Sequence, residues 1–565
     1  MPATVAESFL RALKRHGVDH VFANAGTDFA PVIEALVGLA ATPAAIPKFL
    51  TIPHENLAVA MAHGYYLTSG KPAAAMVHVT VGTGNATCAL MNAYRDSVPL
   101  LLLAGRTPHT HSGHIASRSA PIHWGQENFD QSGLVREYTK WDYELRGGQP
   151  VDEIVGRALE VALAEPRAPV YLTLPREVLA DPDRNAGSEH PVAAVAAPQP
   201  DPAALAEVAE WVASASFPLV VTSHLGRDRA AVGILSELCE RFAIPVAQAA
   251  PTAVNLPASH PMNLGHSGSA LLPQADLILV VDSEVPWFPR SFTPSAATKV
   301  VHLGRDPLWQ RYPIRSFPTH LAVPGRTATA LELLAAALLD RPIPASSLRR
   351  RRAAIAEFLA EKHLRAAALL EDARHAKPIS YAYLGACIRD VLPSGALVLT
   401  ELGVSSDQLA LEEPGSLLGV GIGGGLGFAL GASLGAKLAA PERCVISTLG
   451  DGSYMFGNPT PFHFVARAAE LPVLTIVCNN NRWQAVEAAT RSVYPQGRAA
   501  TSDVMPLVEL KPSPEFCKVA EASDAWAQRV DDPADLPSAL ETALRAVQSG
   551  QQALLDVRME HGQRG

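Results

Sequence analysis

Cysteine, charge and long apolar runs are all scarce in this chain. Only six cysteines occur in 565 residues (Cys88, Cys239, Cys387, Cys444, Cys478, Cys517), and none forms a CxxC pair. That spacing excludes a disulfide framework and a zinc site of the usual kind. Basic residues number 46 against 55 acidic ones, a net charge of −9, so there is no general pull towards nucleic acid or anionic membrane. No stretch approaches the ~18 uninterrupted apolar residues that a membrane span needs. The opening MPATVAESFLRALKRHG has an amphipathic rhythm, not a basic head with an apolar core. Neither nucleic acid nor membrane is expected as a partner, and a cytoplasmic location is expected. What the chain does have is apolar residues, 48% of the total, enough for several cores. At ~150 residues per domain the length allows three or four.

Apolar strand-like runs and amphipathic segments alternate, which predicts parallel βαβ units. In residues 1–185 the pattern predicts helices at 4–16, 29–39 and 55–69, and strands at 19–23, 73–79, 99–104 and 169–174. Residues 181–204, rich in Pro and Ala, read as a linker. A second block, 200–340, contains the strand candidates FPLVVTS, FAIPVAQ, ADLILVVD and TKVVHLG and a helix at 229–241. A helix at 351–373 then leads into a third block, 376–565, with strands near 396–400, 444–449 and 473–478. The four arginines Arg349–Arg352 are expected on a solvated helix start.

The sharpest local signal is LGDGSYMFGNPTPFHFVARAAELPVLTIVCNNN, residues 449–481. An apolar strand runs into Gly450-Asp451-Gly452-Ser453, a helix follows, and a second strand ends at Asn479-Asn480-Asn481. In a parallel sheet both strands deliver their C-terminal ends to one edge, where ligands bind. One carboxylate with amide and carbonyl oxygens suits a hard divalent cation such as Mg2+, completed by phosphate. The N–H groups of Gly452 and Ser453 would face phosphate oxygens at the helix start.

This segment resembles the fingerprint of the thiamine-diphosphate-dependent 2-oxo-acid decarboxylase and acetolactate synthase superfamily, with GNPTP lengthening the loop before the helix. The resemblance implies thiamine diphosphate and Mg2+ as cofactors. It implies metal ligation by Asp451, by the amide oxygen of Asn480 and by the backbone carbonyl of Arg482, with Asn479 kept open against Asn480. It further implies an α/β fold of three doubly wound parallel-sheet domains: pyrimidine-binding (1–185), central (200–340) and diphosphate-binding (376–565).

Near the N-terminus, TIPHENLAVAMAHGYY places Glu55 at the start of an apolar helix. By itself it is an acid favoured in a first turn by the helix dipole. In the family, the glutamate of this HE context contacts the aminopyrimidine ring. HVTVGTGNATCALMNAY looks most like the benzoylformate decarboxylase branch. There His78 would protonate or orient reacting groups, and Thr27 takes the place of an active-site serine. Gly82 and Gly84 are expected at a strand-to-helix turn that Asn85 caps. In PGSLLGVGIGGGLGFAL, Gly419, Gly421 and Gly424 satisfy GxGxxG, but no strand precedes the motif and no acid ends a following one, so a dinucleotide site is not expected. The same branch implies that Gly424 and Leu426 line the cofactor, with Leu426 as the wedge beneath it. In ELGVSSDQ, Ser405 is the diphosphate candidate.

His109, His111, His114 and His123 cluster in a polar loop with no zinc spacing and read as exposed. Gln126 matches a substrate-side glutamine of acetolactate synthase relatives. One departure stands out. The branch has a second active-site histidine from the central domain, where this chain has SEVPWFPRSF, with Pro289 nearest and Trp287 and Phe288 beside it. That departure and Gln126 favour carboligation, whereas the benzoylformate-like GTGNA, PGS and GGLGFAL segments imply a carbon–carbon lyase that decarboxylates a 2-oxo acid, which is the reading taken. Acetolactate-synthase-like carboligation and 2-hydroxyacyl-CoA cleavage remain alternatives, and RMEHGQRG offers no long basic tail to cover coenzyme A. A silent cofactor-binding regulatory subunit is the non-enzymatic alternative. The resemblance also implies self-association as a dimer or tetramer.

Overall fold

The computed structural model describes residues 3–187, 189–192, 194–502 and 504–561. Ser188 and Ala193 of the expected linker, and residues 562–565 of the C-terminal tail, lie outside the described residues. Three six-stranded sheets, each parallel throughout, are flanked by helices. The first contains β1 (His20–Ala23), β2 (Lys48–Thr51), β3 (Ala73–Val77), β4 (Leu100–Arg106), β5 (Asp142–Glu144) and β6 (Val170–Pro175), in the order β2-β1-β3-β4-β6-β5. The second contains β7 (Pro218–Thr222), β8 (Val246–Gln248), β9 (Asn263–Gly265), β10 (Leu277–Val281), β11 (Lys299–Gly304) and β12 (Leu321–Pro324), in the order β12-β11-β10-β7-β8-β9. The third contains β13 (Leu397–Glu401), β14 (Leu417–Gly419), β15 (Val445–Gly450), β16 (Leu474–Asn479), β17 (Trp526–Val530) and β18 (Ala553–Arg558), in the order β14-β13-β15-β16-β18-β17. The first and third sheets thus share one topology without a close sequence repeat.

The central strands are buried on both faces, as in AAAMV of β3 and LILVV of β10, which is why they read as unbroken apolar runs. The edge strands β2, β5 and β17 carry exposed or half-buried positions, and their weaker pattern was not predicted. The predicted strand 73–79 stops at Val77, because the helix Val79–Arg95 begins immediately after His78. The GNPTP loop divides the helix expected after Asp451 into Asp451–Phe456 and Pro459–Ala468, with Asn458 at φ 56° between them.

The arginine run is corrected at one position, since Arg349, Arg350 and Arg352 are exposed as expected. Its helix begins at Ala345, and Arg351 is buried at 1% exposure. The Arg351 guanidinium donates to the carbonyls of Val212 (3.2 Å), Ala215 (2.5 Å) and Phe242 (3.0 Å). Carbonyls at helix ends, not solvent, satisfy it.

The first and third sheets are joined through the helices Glu55–Ser69 and Phe428–Ala439, whose residues share one apolar core. The backbones touch there. A Cβ on Gly435 would stand 2.0 Å from the carbonyl oxygen of Met61, and one on Gly64 would stand 2.1 Å from that of Ala432. Any side chain at either position would push the two helices apart.

Candidate active site

Strand β1 pairs with both β2 and β3, so the segments leaving these strands emerge side by side. They carry Thr27 and Asp28, then Glu55, then His78. Asp28 is 4% exposed, and its Oδ1 lies 2.5 Å from Nδ1 of His78. That hydrogen bond is the main reason the imidazole is held above its ordinary histidine value. Burial opposes the shift, and the charge of Asp28, the Gln126 side chain and Glu55 add to it. The ring packs on Gly26, where a Cβ would fall 2.1 Å from Nδ1.

Glu55 is buried at 8% exposure and accepts a 3.0 Å hydrogen bond from the amide of Asn85. Asn85 is therefore no cap. Gly82, Gly84 and Asn85 lie inside the helix Val79–Arg95, and its first turns carry Asn85 towards the carboxylate. Gln126 is half-buried and its carbonyl accepts from the Thr80 hydroxyl at 3.0 Å. His123 departs from expectation, since it is buried at 3% exposure with Nε2 3.5 Å from Thr27 Oγ. Of its loop neighbours, His109 and His111 are exposed as expected.

A second constellation lies at the same edge of the third sheet. Asp451 leaves β15 and Asn480 leaves its neighbour β16. Burial pushes the Asp451 carboxyl up to about 6, against backbone N–H groups of Gly452 and Asn481 that favour its charge; Asp556 raises it further. The Asn479 amide is engaged by Asp556 at 2.8 Å, Ser513 at 3.1 Å and Arg558 at 3.2 Å. Among the described residues the Asn480 amide oxygen accepts a local bond, from the N–H of Arg482 at 3.0 Å. Gly452 and Ser453 lie in the first turn of the helix Asp451–Phe456 and are buried.

The turn carrying Gly424 and Leu426 is held from two sides. Asn92 and Gly425 exchange reciprocal hydrogen bonds of 2.7 and 2.9 Å. From β13, Glu401 accepts from the N–H groups of Gly427 and Ala429, both at 2.7 Å. Leu426 is half-buried, whereas Gly424, at φ 73°, is exposed. Ser405 is the N-cap of the helix Ser406–Leu409, its hydroxyl bonded to Gln408.

Asp28, His123 and Glu401 are the residues that sequence reasoning missed. For Asp28 and Glu401 a signal existed, since each acid follows or ends a strand whose neighbours carry chemistry. A cavity of about 260 Å³ lies between the C-terminal edge of the central sheet and the other two sheet units, lined by Arg227, Asp228, Asp282 and Arg305 and, from the other units, by Tyr66 and Leu418 among others. Arg227 pairs with Asp96, and Arg305 with Glu165 and Asp228, so these carboxylates neutralise the cleft from within. In the central-domain segment that lacks a histidine, Trp287 is buried and Phe288 is 70% exposed.

Three sequence profiles match consecutive parts of the chain. Residues 3–134 match the thiamine pyrophosphate enzyme N-terminal TPP binding domain, 205–334 the central domain, and 402–557 the C-terminal TPP binding domain. Benzoylformate decarboxylase of Pseudomonas aeruginosa is 30% identical over 96% of this chain and 97% of its own. Sulfoacetaldehyde acetyltransferase of Rhodobacter capsulatus is 25% identical over 98% of this chain and 94% of its own. Among solved structures, a thiamine diphosphate-dependent 4-hydroxybenzoylformate decarboxylase of Rhodococcus jostii superposes with a TM-score of 0.78. It covers 99% of both chains at 22% identity, a likeness of fold.

Proposed function

Since the chain belongs to the thiamine pyrophosphate enzyme family, we propose that it is a carbon–carbon lyase that decarboxylates a 2-oxo acid. The observation that carries this reading is the Asp28–His78 pair at the sheet edge shared with Glu55 and Thr27. When bound, thiamine diphosphate would supply a carbon nucleophile and a sink for the electron pair released with carbon dioxide. Glu55, buried and bonded to Asn85, shares a proton with the aminopyrimidine ring. His78, whose charged form Asp28 favours, offers a proton from Nε2 to the reacting oxygen or carbon. Thr27 and Gln126 orient the substrate, and Leu426 is the wedge under the cofactor. Gly424 gives the backbone close approach, and Ser405, Gly452 and Ser453 attend the diphosphate.

Mg2+ fits the third-sheet constellation. Asp451 is a buried carboxylate whose neighbours are N–H groups and another carboxylate, and a divalent cation would offset that burial. The engaged amide of Asn479 favours Asn480 as the ligand, with the Arg482 carbonyl as the third. Among the described residues no group of three or more His, Cys, Asp or Glu is arranged for a metal, which suits a hard cation held by one carboxylate, amide-type oxygens and phosphate.

A dimer is the smallest working unit in this reading, and a dimer of dimers extends it. No helix among the described residues is long and apolar enough to cross a membrane, and the six thiols are free, which supports a cytoplasmic setting.

Carboligation is the second reading, favoured by Gln126 beside His78 and by Trp287-Phe288-Pro289 in place of a central-domain histidine. The test is a panel of 2-oxo acids, 2-hydroxyacyl-CoAs and aldehydes, with carbon dioxide and product chirality followed together. Carbon dioxide with free aldehyde is expected. Cleavage of an acyloin or acyl-CoA with no carbon dioxide from any 2-oxo acid would replace the decarboxylase by the lyase.

A further inference from the structure

His123 lies 45 positions beyond His78 in sequence, in a loop to which the 2-oxo-acid reading gives only Gln126. Its ring is buried. Two backbone N–H groups, those of Ser119 at 3.0 Å and Ala120 at 3.3 Å, are directed at Nδ1. A ring nitrogen that accepts carries no proton, so the proton of the neutral ring sits on Nε2. A second proton would turn an N–H at Nδ1 against two N–H donors. Nε2 in turn lies 3.5 Å from Thr27 Oγ, an outer-limit contact of the kind that tightens when substrate binds.

We propose that His123 is a positioning residue: its Nε2–H donates to Thr27 Oγ, which leaves the Thr27 hydroxyl proton free to donate to a carboxylate oxygen of the bound 2-oxo acid. Thr27 is exposed in the chain, so its hydroxyl has room to turn outward. The proposal rests on the 2-oxo-acid reading of the site. A hydroxyl that accepts from one side and donates on the other binds an anion more strongly than a free rotor does.

The groups around the ring act in the same direction. Burial first, then the positive charges of Arg176, Arg118 and His78, hold His123 below its ordinary value, and only Asp28 opposes them. Arg176 is fixed by the carbonyls of Ala116, Ser117 and Thr27. Arg118 is fixed by the carbonyl of His123 itself and by Glu127. The site therefore pushes two histidines in opposite directions, His78 up beside Asp28 and His123 down beside Arg176 and Arg118. Environments that drive two titratable groups apart divide their roles.

The test is long-range proton–nitrogen NMR of the full holoenzyme with labelled histidine, assigned through His123→Gln, and combined with steady-state kinetics. A neutral Nε2–H ring from about pH 6 to 8 is expected for His123, within the range where an ordinary histidine titrates. His123→Leu should raise KM for the 2-oxo acid about tenfold or more, the usual worth of a hydrogen bond to a charged group, with kcat changed less. His123→Gln keeps an N–H donor and should recover most of that loss. Cofactor affinity and melting temperature should stay level in both, which separates positioning from folding. A proton on Nδ1, a doubly protonated ring near pH 7, or equal KM losses in the two variants would overturn the proposal. If no 2-oxo acid is turned over, the functional reading falls, and the proposed donation to a 2-oxo acid falls with it. The ring spectrum would still report where the His123 proton sits.

Discussion

Asp28 Oδ1 and His78 Nδ1 stand 2.5 Å apart at the ends of two adjacent parallel strands, although 50 residues separate them in sequence. The carboxylate stabilises the imidazolium, so removing its charge should lower the pKa of His78. Asp28→Asn keeps the shape and removes the charge. A group that must be protonated to act then fails at lower pH, so the alkaline limb of kcat should move towards acid. At pH 8 kcat should fall by about 10²-fold, within the usual range for proton transfer. An unchanged alkaline limb, with an unchanged His78 titration by NMR, would remove the pair from the reaction.

Asp451 gives a binding prediction. Asp451→Ala deletes the carboxylate proposed to hold Mg2+ and should abolish measurable thiamine diphosphate binding in calorimetry at millimolar Mg2+. Removing the metal from the parent protein should have the same effect, because the diphosphate then lacks its bridge. Equal cofactor affinity in variant and parent would sink the assignment.

Asp96 gives a prediction about stability. Its carboxylate lies 3.1 Å from Arg227 and 3.2 Å from His63, and it is 2% exposed at the side chain. A Cβ on Gly421 would fall on the same carboxylate, so segments from all three sheet units converge there. Burial opposes ionisation, yet the Arg227 charge and the His63 hydrogen bond hold the group far below the usual carboxylate range. Asp96→Asn leaves a buried guanidinium without its counter-charge, a defect that costs about 3–5 kcal/mol. The melting temperature should drop by several degrees. An unaltered melting curve would mean that the pair contributes nothing net.

The sequence announced what is local and left obscure what is made by folding. The helix predicted at 55–69 and the GDG-to-asparagine frame were legible because each is written in contiguous residues. Asp28 was not, because its partner is brought to it by strand pairing. His123 reads as an exposed loop residue in the sequence, because the contacts of Arg118 and Arg176 that hold its surroundings form only on folding. Edge strands such as β17, with exposed Arg529, lacked the apolar run that marked the central ones. Asn85 reads as a cap in the sequence because the glycines around it suggest a turn. The helix tolerates them there, and its pitch delivers the amide to Glu55.

Glu401 carries the last prediction. The side chain is 1% exposed, and burial pushes its carboxyl from 4.5 up to about 7, with the N–H groups of Ala429 and Gly427 pulling the other way. In the unfolded chain the group ionises near its ordinary value, while in the folded chain it stays protonated until about pH 7. The unfolded state therefore gains as pH rises from about 4.5 to 7, and the loss is complete above the folded value. The shift corresponds to at most about 3 kcal/mol. Glu401→Gln cannot titrate, and its amide opposes one of the two N–H donors at every pH, a constant offset. The parent's melting temperature should therefore decline relative to the variant's between pH 5 and pH 8. Two melting curves that run parallel across that interval would show that Glu401 is ionised throughout, its charge carried by the turn that bears Leu426.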